Sequence, residues 1–255
     1  MMKALAALDN SLSAKTVLAN AGALASLAGA ELEAVHVRVD GGRTALGTAE
    51  AAGVPLRALS GDLVEQLLAA ARADDVIAVA VGARGSAMSR RPLGGVALAV
   101  AGGLPKPVLV VPPEAEARTS YRRILLPLEG TVEASEAVES ILELARSASV
   151  AVLVLHVFDQ ESVPAFSDQP QHEHPARERE FLHRHVPGGL HVVELETRVG
   201  RSGELIPAVA ETRDCDLIAL VWSQELSAGR APVVRETLER SRRPILLVPI
   251  QHRAD

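Results

Sequence analysis

Residues 107–112 read PVLVVP, and residues 244–249 read PILLVP. Three more blocks recur in the same order. KALAALDNS (3–11) matches RILLPLEGT (123–131), AVHV (34–37) matches VLHV (154–157), and DDVIAVAV (74–81) matches CDLIALVW (215–222). The displacement is 120 residues for the first two blocks, 141 for the third and 137 for the last. Four ordered matches mark an internal duplication. The changing displacement places 21 extra residues ahead of the second copy's fourth strand and removes four after it.

Each block is a short run of Val, Ile, Leu and Ala with little alternation. Such runs suit strands covered on both faces, as in a parallel sheet. Helical patterns lie between them. Val17, Leu18, Ala21, Leu24, Ala25 and Ala28 make one apolar stripe, and Val138, Ile141, Leu142 and Ala145 make another. Asp62 stands as an N-cap candidate before Leu63, Leu67 and Ala70. The order β-α-β-(α)-β-α-β-α-β, taken twice, predicts an α/β protein. It would consist of two tandem, open, doubly wound, five-stranded parallel-sheet domains with right-handed crossovers. The domains are expected at 1–112 and 122–250, with 113–121 as a linker of proline, charged and small residues.

Composition narrows the function classes. The 255 residues are 48% hydrophobic and 23% charged, which fits a globular chain and argues against disorder. Aromatics are only 2%, and Tyr121, Phe158, Phe166, Phe181 and Trp222 all fall after residue 120. A platform of stacked aromatics for single-stranded nucleic acid is therefore not available in the first copy. The net charge of −6 disfavours nucleic acid as a partner. The deficit is confined to residues 121–255, with 15 Lys/Arg against 21 Asp/Glu. A single cysteine, Cys215, leaves no internal disulfide and no cysteine-based metal site, and an inert buried thiol is expected. The opening MMKALAALDN does not read as a signal peptide, and no apolar run is long enough to span a membrane. A cytoplasmic location without membrane partners is the expectation.

In open parallel sheets the ligand crevice lies beyond the carboxyl ends of the strands. After the first strand comes Leu8-Asp9-Asn10-Ser11. The Asp9 carboxylate either accepts hydrogen bonds from a ribose or amine, or it caps the following helix together with Ser11. After the fourth strand come Val81-Gly82-Ala83-Arg84-Gly85, a spacer, and Gly94-Gly95-Val96 opening an Ala-rich helix. Glycines let a backbone approach a phosphate, a helix N-terminus favours an anion, and Arg84, Arg90 and Arg91 add positive charge. The bare glycine spacing fits a plain flexible loop as well. It matches neither a Walker loop nor the dinucleotide fingerprint.

ALDNS, AVHV, GARG-x8-GGV and PVLVV together resemble the universal stress protein family, in tandem and over almost the whole chain. The resemblance implies an adenine nucleotide alpha hydrolase-like fold in each copy. It also implies an adenine nucleotide (ATP, AMP or cyclic AMP, with Mg a possible companion) in the N-terminal domain only. Asp9 would face the adenine–ribose end, with Ala7 and Leu8 beside it. Val37 would cover the base, and Val81 and Gly82 would border the ribose. Gly85, Gly94, Gly95 and Val96 would cradle the phosphates. Gly95 stands where the family carries Ser or Thr, so one phosphate hydrogen bond is missing. His36 is expected to be structural. The family's habit of pairing last strands implies that PVLVVP and PILLVP pair within one chain, with a homodimer also open.

The second copy departs at each of these positions. Glu129 replaces the aspartate, Trp222-Ser223-Gln224-Glu225-Leu226-Ser227 replaces the glycine loop, and Ala231-Pro232-Val233 replaces Gly-Ser-Val. Pro232 suits a first helical position but lacks the N–H that a phosphate would use. This copy reads as degenerate for the ligand, with Trp222 either filling the vacated pocket or stacking on another small molecule. The insert 159–185 carries His172, His174, His183 and His185, whose spacing fits a solvated helix better than a metal site. No metal ligands are assigned. Three functions follow: a nucleotide-binding regulatory protein acting on an unknown protein partner, a ligand-free interaction protein, or a slow ATP hydrolase. The first is preferred, and no catalytic residue is assigned.

Overall fold

The computed structural model describes residues 1–38, 43–84, 95–128, 135–158, 193–225 and 231–250. The histidine-rich insert with Phe166 and Phe181, the loop from Gly85 to Gly94 with Arg90 and Arg91, and Glu129 to Thr131 lie outside the described residues.

The first repeat runs β1 (Lys3–Ala7), α1 (Ala14–Leu27), β2 (Glu31–Val37), α2 (Thr44–Ala51), β3 (Leu56–Leu59), α3 (Leu63–Ala71), β4 (Val76–Gly82), α4 (Gly95–Gly103) and β5 (Val108–Val111). The second runs β6 (Arg123–Pro127), α5 (Ser135–Ser147), β7 (Ala151–Phe158), β8 (Val193–Val199), α6 (Ser202–Thr212), β9 (Leu217–Trp222), α7 (Pro232–Arg240) and β10 (Ile245–Pro249). Asp62 caps α3 by accepting from the Glu65 N–H at 3.0 Å, as its position suggests. Helix α6 carries Pro207 in its interior, a residue that would ordinarily argue against a helix there.

The two five-stranded sheets are fused into one, in the order β3-β2-β1-β4-β5-β10-β9-β6-β7-β8. Neighbouring strands within each repeat are parallel. The joint is antiparallel, with Val108 opposite Leu247, Leu109 opposite Leu246 and Val110 opposite Ile245. The expected pairing of PVLVVP with PILLVP is thus the seam of a ten-stranded sheet.

Alternate strand residues feed two buried layers, as the two-residue period of a strand requires. Ala6, Ala34, Ala78 and Ala80 share one layer with α1, α2 and α5, and that layer continues through Ile124, Val154, Ala219 and Leu246. Leu5, Val35, Val79 and Val108 share the other with α3, α4, α6 and α7, continuing through Leu125, Ile218 and Leu247. Both layers cross the seam, so each repeat completes the other's core. Side chains this small replace the missing aromatics by letting helix and sheet approach closely.

Residues 113–121 are also part of this packing. Ala115 and Tyr121 are buried. Fully buried Asn20 of α1 donates from Nδ2 to the Thr16 and Glu116 carbonyls, both at 2.9 Å. The Tyr121 hydroxyl donates toward Asn20 O and Oδ1 at 3.2 and 3.1 Å. Burial pushes the Tyr121 phenol far above its ordinary range, which keeps the donor in place. From the second repeat, Asp216 Oδ2 accepts from the Arg122 and Arg123 N–H groups at 2.7 and 3.1 Å. Its Oδ1 pairs with Arg118 at 2.5 Å.

Two outcomes follow. Trp222 is the sole tryptophan and lies in the second repeat, whereas far-UV circular dichroism sees both. With two shared cores, the Trp222 fluorescence transition and the dichroism transition in urea should coincide; two separated midpoints would disprove the shared core. The Asp216→Ala variant orphans two backbone N–H groups and a half-buried Arg118, and should lose about 3 kcal/mol in the same titration.

Candidate functional site

Strand β1 lies between β2 and β4, so the chain leaves it first toward β3 and then in the opposite direction toward β5. This is the switch point where a crevice opens beyond the strand ends. Paired β1, β2 and β4 bring Ala7-Leu8-Asp9, Val37 and Val81-Gly82 to the same end of the sheet. Gly95 at the start of α4 follows the loop leaving β4.

The apolar candidates separate by face. Val37 and Val81 are buried in the layer shared with α3 and α4, and Ala7 and Val96 pack against that layer. Leu8 packs with α1 on the other face, so it borders the crevice through its backbone rather than as a wall. Its N–H donates to the Val35 carbonyl at 2.9 Å. Its own carbonyl accepts from His36 Nδ1 at 2.8 Å, which fixes the proton on Nδ1. The second repeat repeats this arrangement. Leu128 N–H donates to Leu155 O, and His156 Nδ1 donates to Leu128 O at 2.9 Å. His36 is therefore a structural residue that stitches β2 to the end of β1.

Asp9 does not cap α1. Its Oδ1 accepts from the Ser11 N–H at 3.0 Å and the Ser11 hydroxyl at 2.5 Å, which closes a tight turn after β1. Ser13 occupies the N-cap position of α1 without a side-chain capping bond, its hydroxyl lying 2.7 Å from that of Ser11. Among the described residues only Ser11 donates to this half-buried carboxylate, which leaves Oδ2 as an acceptor at the crevice. Neighbouring Asn10, which sequence reasoning passed over, accepts from the Ala45 N–H at 3.1 Å and so holds the start of α2 beside the same turn. An Asn three residues after a strand, in the turn before a helix, was the signal available for it.

On the β4 side, Gly82 is closely surrounded. A Cβ there would lie 3.3 Å from the Arg84 carbonyl and 3.6 Å from Val17 Cγ2. Gly95 is exposed, and a Cβ on it would meet nothing within 4 Å. Arg84 pairs with Glu114 at 3.2 Å. Gly85 and Gly94 lie outside the described residues.

The second repeat's strand ends are built differently. Trp222 is buried at the end of β9. Gln224 takes a left-handed conformation, φ 61°, and donates from Nε2 to the Ala101 and Leu104 carbonyls at 3.1 and 2.6 Å. These carbonyls belong to the C-terminal end of α4 in the first repeat. Pro232 opens α7 after a left-handed Ala231. Cys215 is buried, and burial pushes its thiol up to about 11, as suits an unreactive side chain.

Among the described residues no group of three or more His, Cys, Asp or Glu is placed to hold a metal ion. Among them, too, no helix is long and apolar enough to cross a membrane.

Comparison with known proteins covers both repeats. The sequence pattern of the universal stress protein family matches residues 42–112 and 120–249. No curated protein matches the chain by sequence. Among solved structures, a protein of unknown function from Pseudomonas aeruginosa PAO1 is similar with a TM-score of 0.68 and 15% identity, covering 98% of this chain and 93% of that one. A putative universal stress protein from Pseudomonas aeruginosa UCBPP-PA14 gives 0.67 and 15%, covering 98% and 93%. A universal stress protein from Archaeoglobus fulgidus DSM 4304 gives 0.67 and 16%, covering 99% and 97%. The duplicated blocks, the switch-point crevice and the matched segments agree: the chain belongs to the universal stress protein family.

Proposed function

We propose that this protein is a stress-response binding protein whose first repeat takes an adenine nucleotide and whose second repeat takes none. The observation that carries the reading is the contrast between the two sets of strand ends. In the first repeat, a half-buried carboxylate at Asp9 stands at the same strand ends as buried Val37 and Val81. At the start of α4, a Cβ on Gly95 would meet nothing within 4 Å. These groups fit an adenosine. The aliphatic floor suits a base held without aromatic stacking, and Asp9 Oδ2 suits the ribose hydroxyls. The N–H groups at the start of α4, as at any helix N-terminus, suit phosphate. In the second repeat, a buried indole and a proline at the helix start oppose the same ligand.

Binding without turnover is the preferred form of this reading. Hydrolysis requires a positioned water and charge stabilisation at the transferring phosphate. Asp9 is engaged by Ser11 and belongs to the ribose end of the crevice, not to the end where phosphates would run. Nucleotide occupancy, rather than product, would then be the signal passed to a protein partner. Mg would arrive with the phosphates.

Calorimetric titration with ATP, AMP and cyclic AMP tests the reading; no heat with any of the three at millimolar ligand would reject it. The absent hydroxyl supplies a gain-of-function test. Space around Gly95 admits a side chain, so Gly95→Ser should tighten ATP by about threefold to tenfold, the worth of one hydrogen bond. Asp9→Ala should weaken all three ligands together, because its partner is the ribose they share. A weakening confined to ATP would place Asp9 at the wrong end.

A further inference from the structure

Between the repeats lies a cavity of about 190 Å³ that the nucleotide reading leaves unused. Ala83, Arg84 and Glu114 line it from the first repeat, and Glu239, Arg240 and Arg242 from the second. The duplication explains why it exists. Position 83 corresponds to Gln224 by the displacement of 141, and the end of α7 corresponds to the end of α4 by the displacement of 137. On one side of the seam, the Gln224 amide reaches across to the last carbonyls of α4. On the other, Ala83 has only a methyl, and the space over the end of α7 is left open.

The charges and the position of this space point the same way. Arg84 is held at the rim by Glu114, and Arg240 is tethered to Glu204 of α6 at 3.3 Å. Arg242 is exposed and forms no ion pair with another described residue. Arg84 and Arg240 are each paired with a carboxylate, Glu114 and Glu204, so Arg242 is the guanidinium of the three without an ion pair among the described residues, and it stands at the negative end of the α7 dipole. The strand order β2-β1-β4-β5-β10 sets these groups on a line, each step about 4.8 Å. A base over Val37 and a ribose at Asp9 and Gly82 direct the phosphates onward past β4 and β5. The next element on that line is the α7–β10 turn. The cavity is somewhat larger than the ~150 Å³ that holds a benzene, so it admits phosphate groups but no second nucleoside.

We propose that the second repeat completes the first repeat's site. Arg240 and Arg242 receive the terminal phosphates of a nucleoside triphosphate, and the protein thereby prefers triphosphate over monophosphate. This rests on the nucleotide reading above.

The test is calorimetric titration of the full chain with ATP and with AMP, in EDTA so that the phosphates carry their full charge. Arg242→Ala should weaken ATP about threefold and Arg242→Glu about tenfold, as for an exposed charge pair lost or reversed. AMP affinity and the unfolding midpoint should stay unchanged in both, and the salt dependence of ATP binding should flatten. Equal ATP affinity in wild type and both variants overturns the inference and leaves the nucleotide reading standing. An equal loss for ATP and AMP overturns it as well. A wild-type chain that binds neither nucleotide overturns both.

Discussion

The antiparallel pairing of β5 with β10 decides most of what this molecule is. Three residue pairs, Val108–Leu247, Leu109–Leu246 and Val110–Ile245, turn two edge strands into interior ones. An exposed edge of four or five aliphatic residues is a template for aggregation, and here each repeat hides the other's. The reversal of direction has a second effect. The carboxyl ends of β1 and β4 point the same way as the amino ends of β9 and β10. Each crevice therefore lies beside the back of the other repeat. The end of α7 stands by the first crevice and the end of α4 by the second.

That geometry makes the two repeats one folded unit rather than two independent ones. Parallel sheets are buried on both faces, and both buried layers run across the seam without a break. The connecting segment adds a polar clamp: Asn20 and Tyr121 hold it to α1, and Asp216, just ahead of β9, holds its end through the Arg122 and Arg123 amides. Buried polar groups of this kind are tolerable only when they are matched, and their matching fixes one relative placement of the halves.

Much of this was legible in the residues because the fold's rules are periodic and local. Aliphatic runs in repeated order announced the strands, Asp62 announced its helix, and the matched last blocks announced the seam. Other features were hidden for physical reasons. The clamp joins residues far apart in sequence, and no local pattern distinguishes Asn20 from a surface asparagine within a helical stripe. Helix α6 contradicts the propensity of Pro207, with tertiary packing of Ile206, Val209 and Ala210 overriding it. Within the site, Asp9 stands out by its place after a strand, whereas Val37 and Val81 enter through the family resemblance. Leu8 was assigned to the crevice although alternation along the chain turns its side chain to the α1 face. Asn10 escaped because its partner, Ala45, lies beyond the second strand.

On the proposed reading, the strand ends of the second repeat serve no ligand. Its first turn keeps the histidine stitch, because His156 serves the sheet and not the crevice. On that reading the backbone beyond β9 has no phosphate to approach, and glycine is not required. The buried indole of Trp222 stands at the counterpart of Val81 and adds apolar area there. Gln224 then spends its amide on the end of a neighbouring helix, satisfying carbonyls that a helix terminus leaves unpaired. The same position in the first repeat is Ala83, which cannot make that bond. The first repeat thus forgoes a stabilising contact at the one place where its crevice meets its partner. A contact worth about 1 kcal/mol is available there by a single change of side chain. Its absence is accounted for if that space belongs to the crevice.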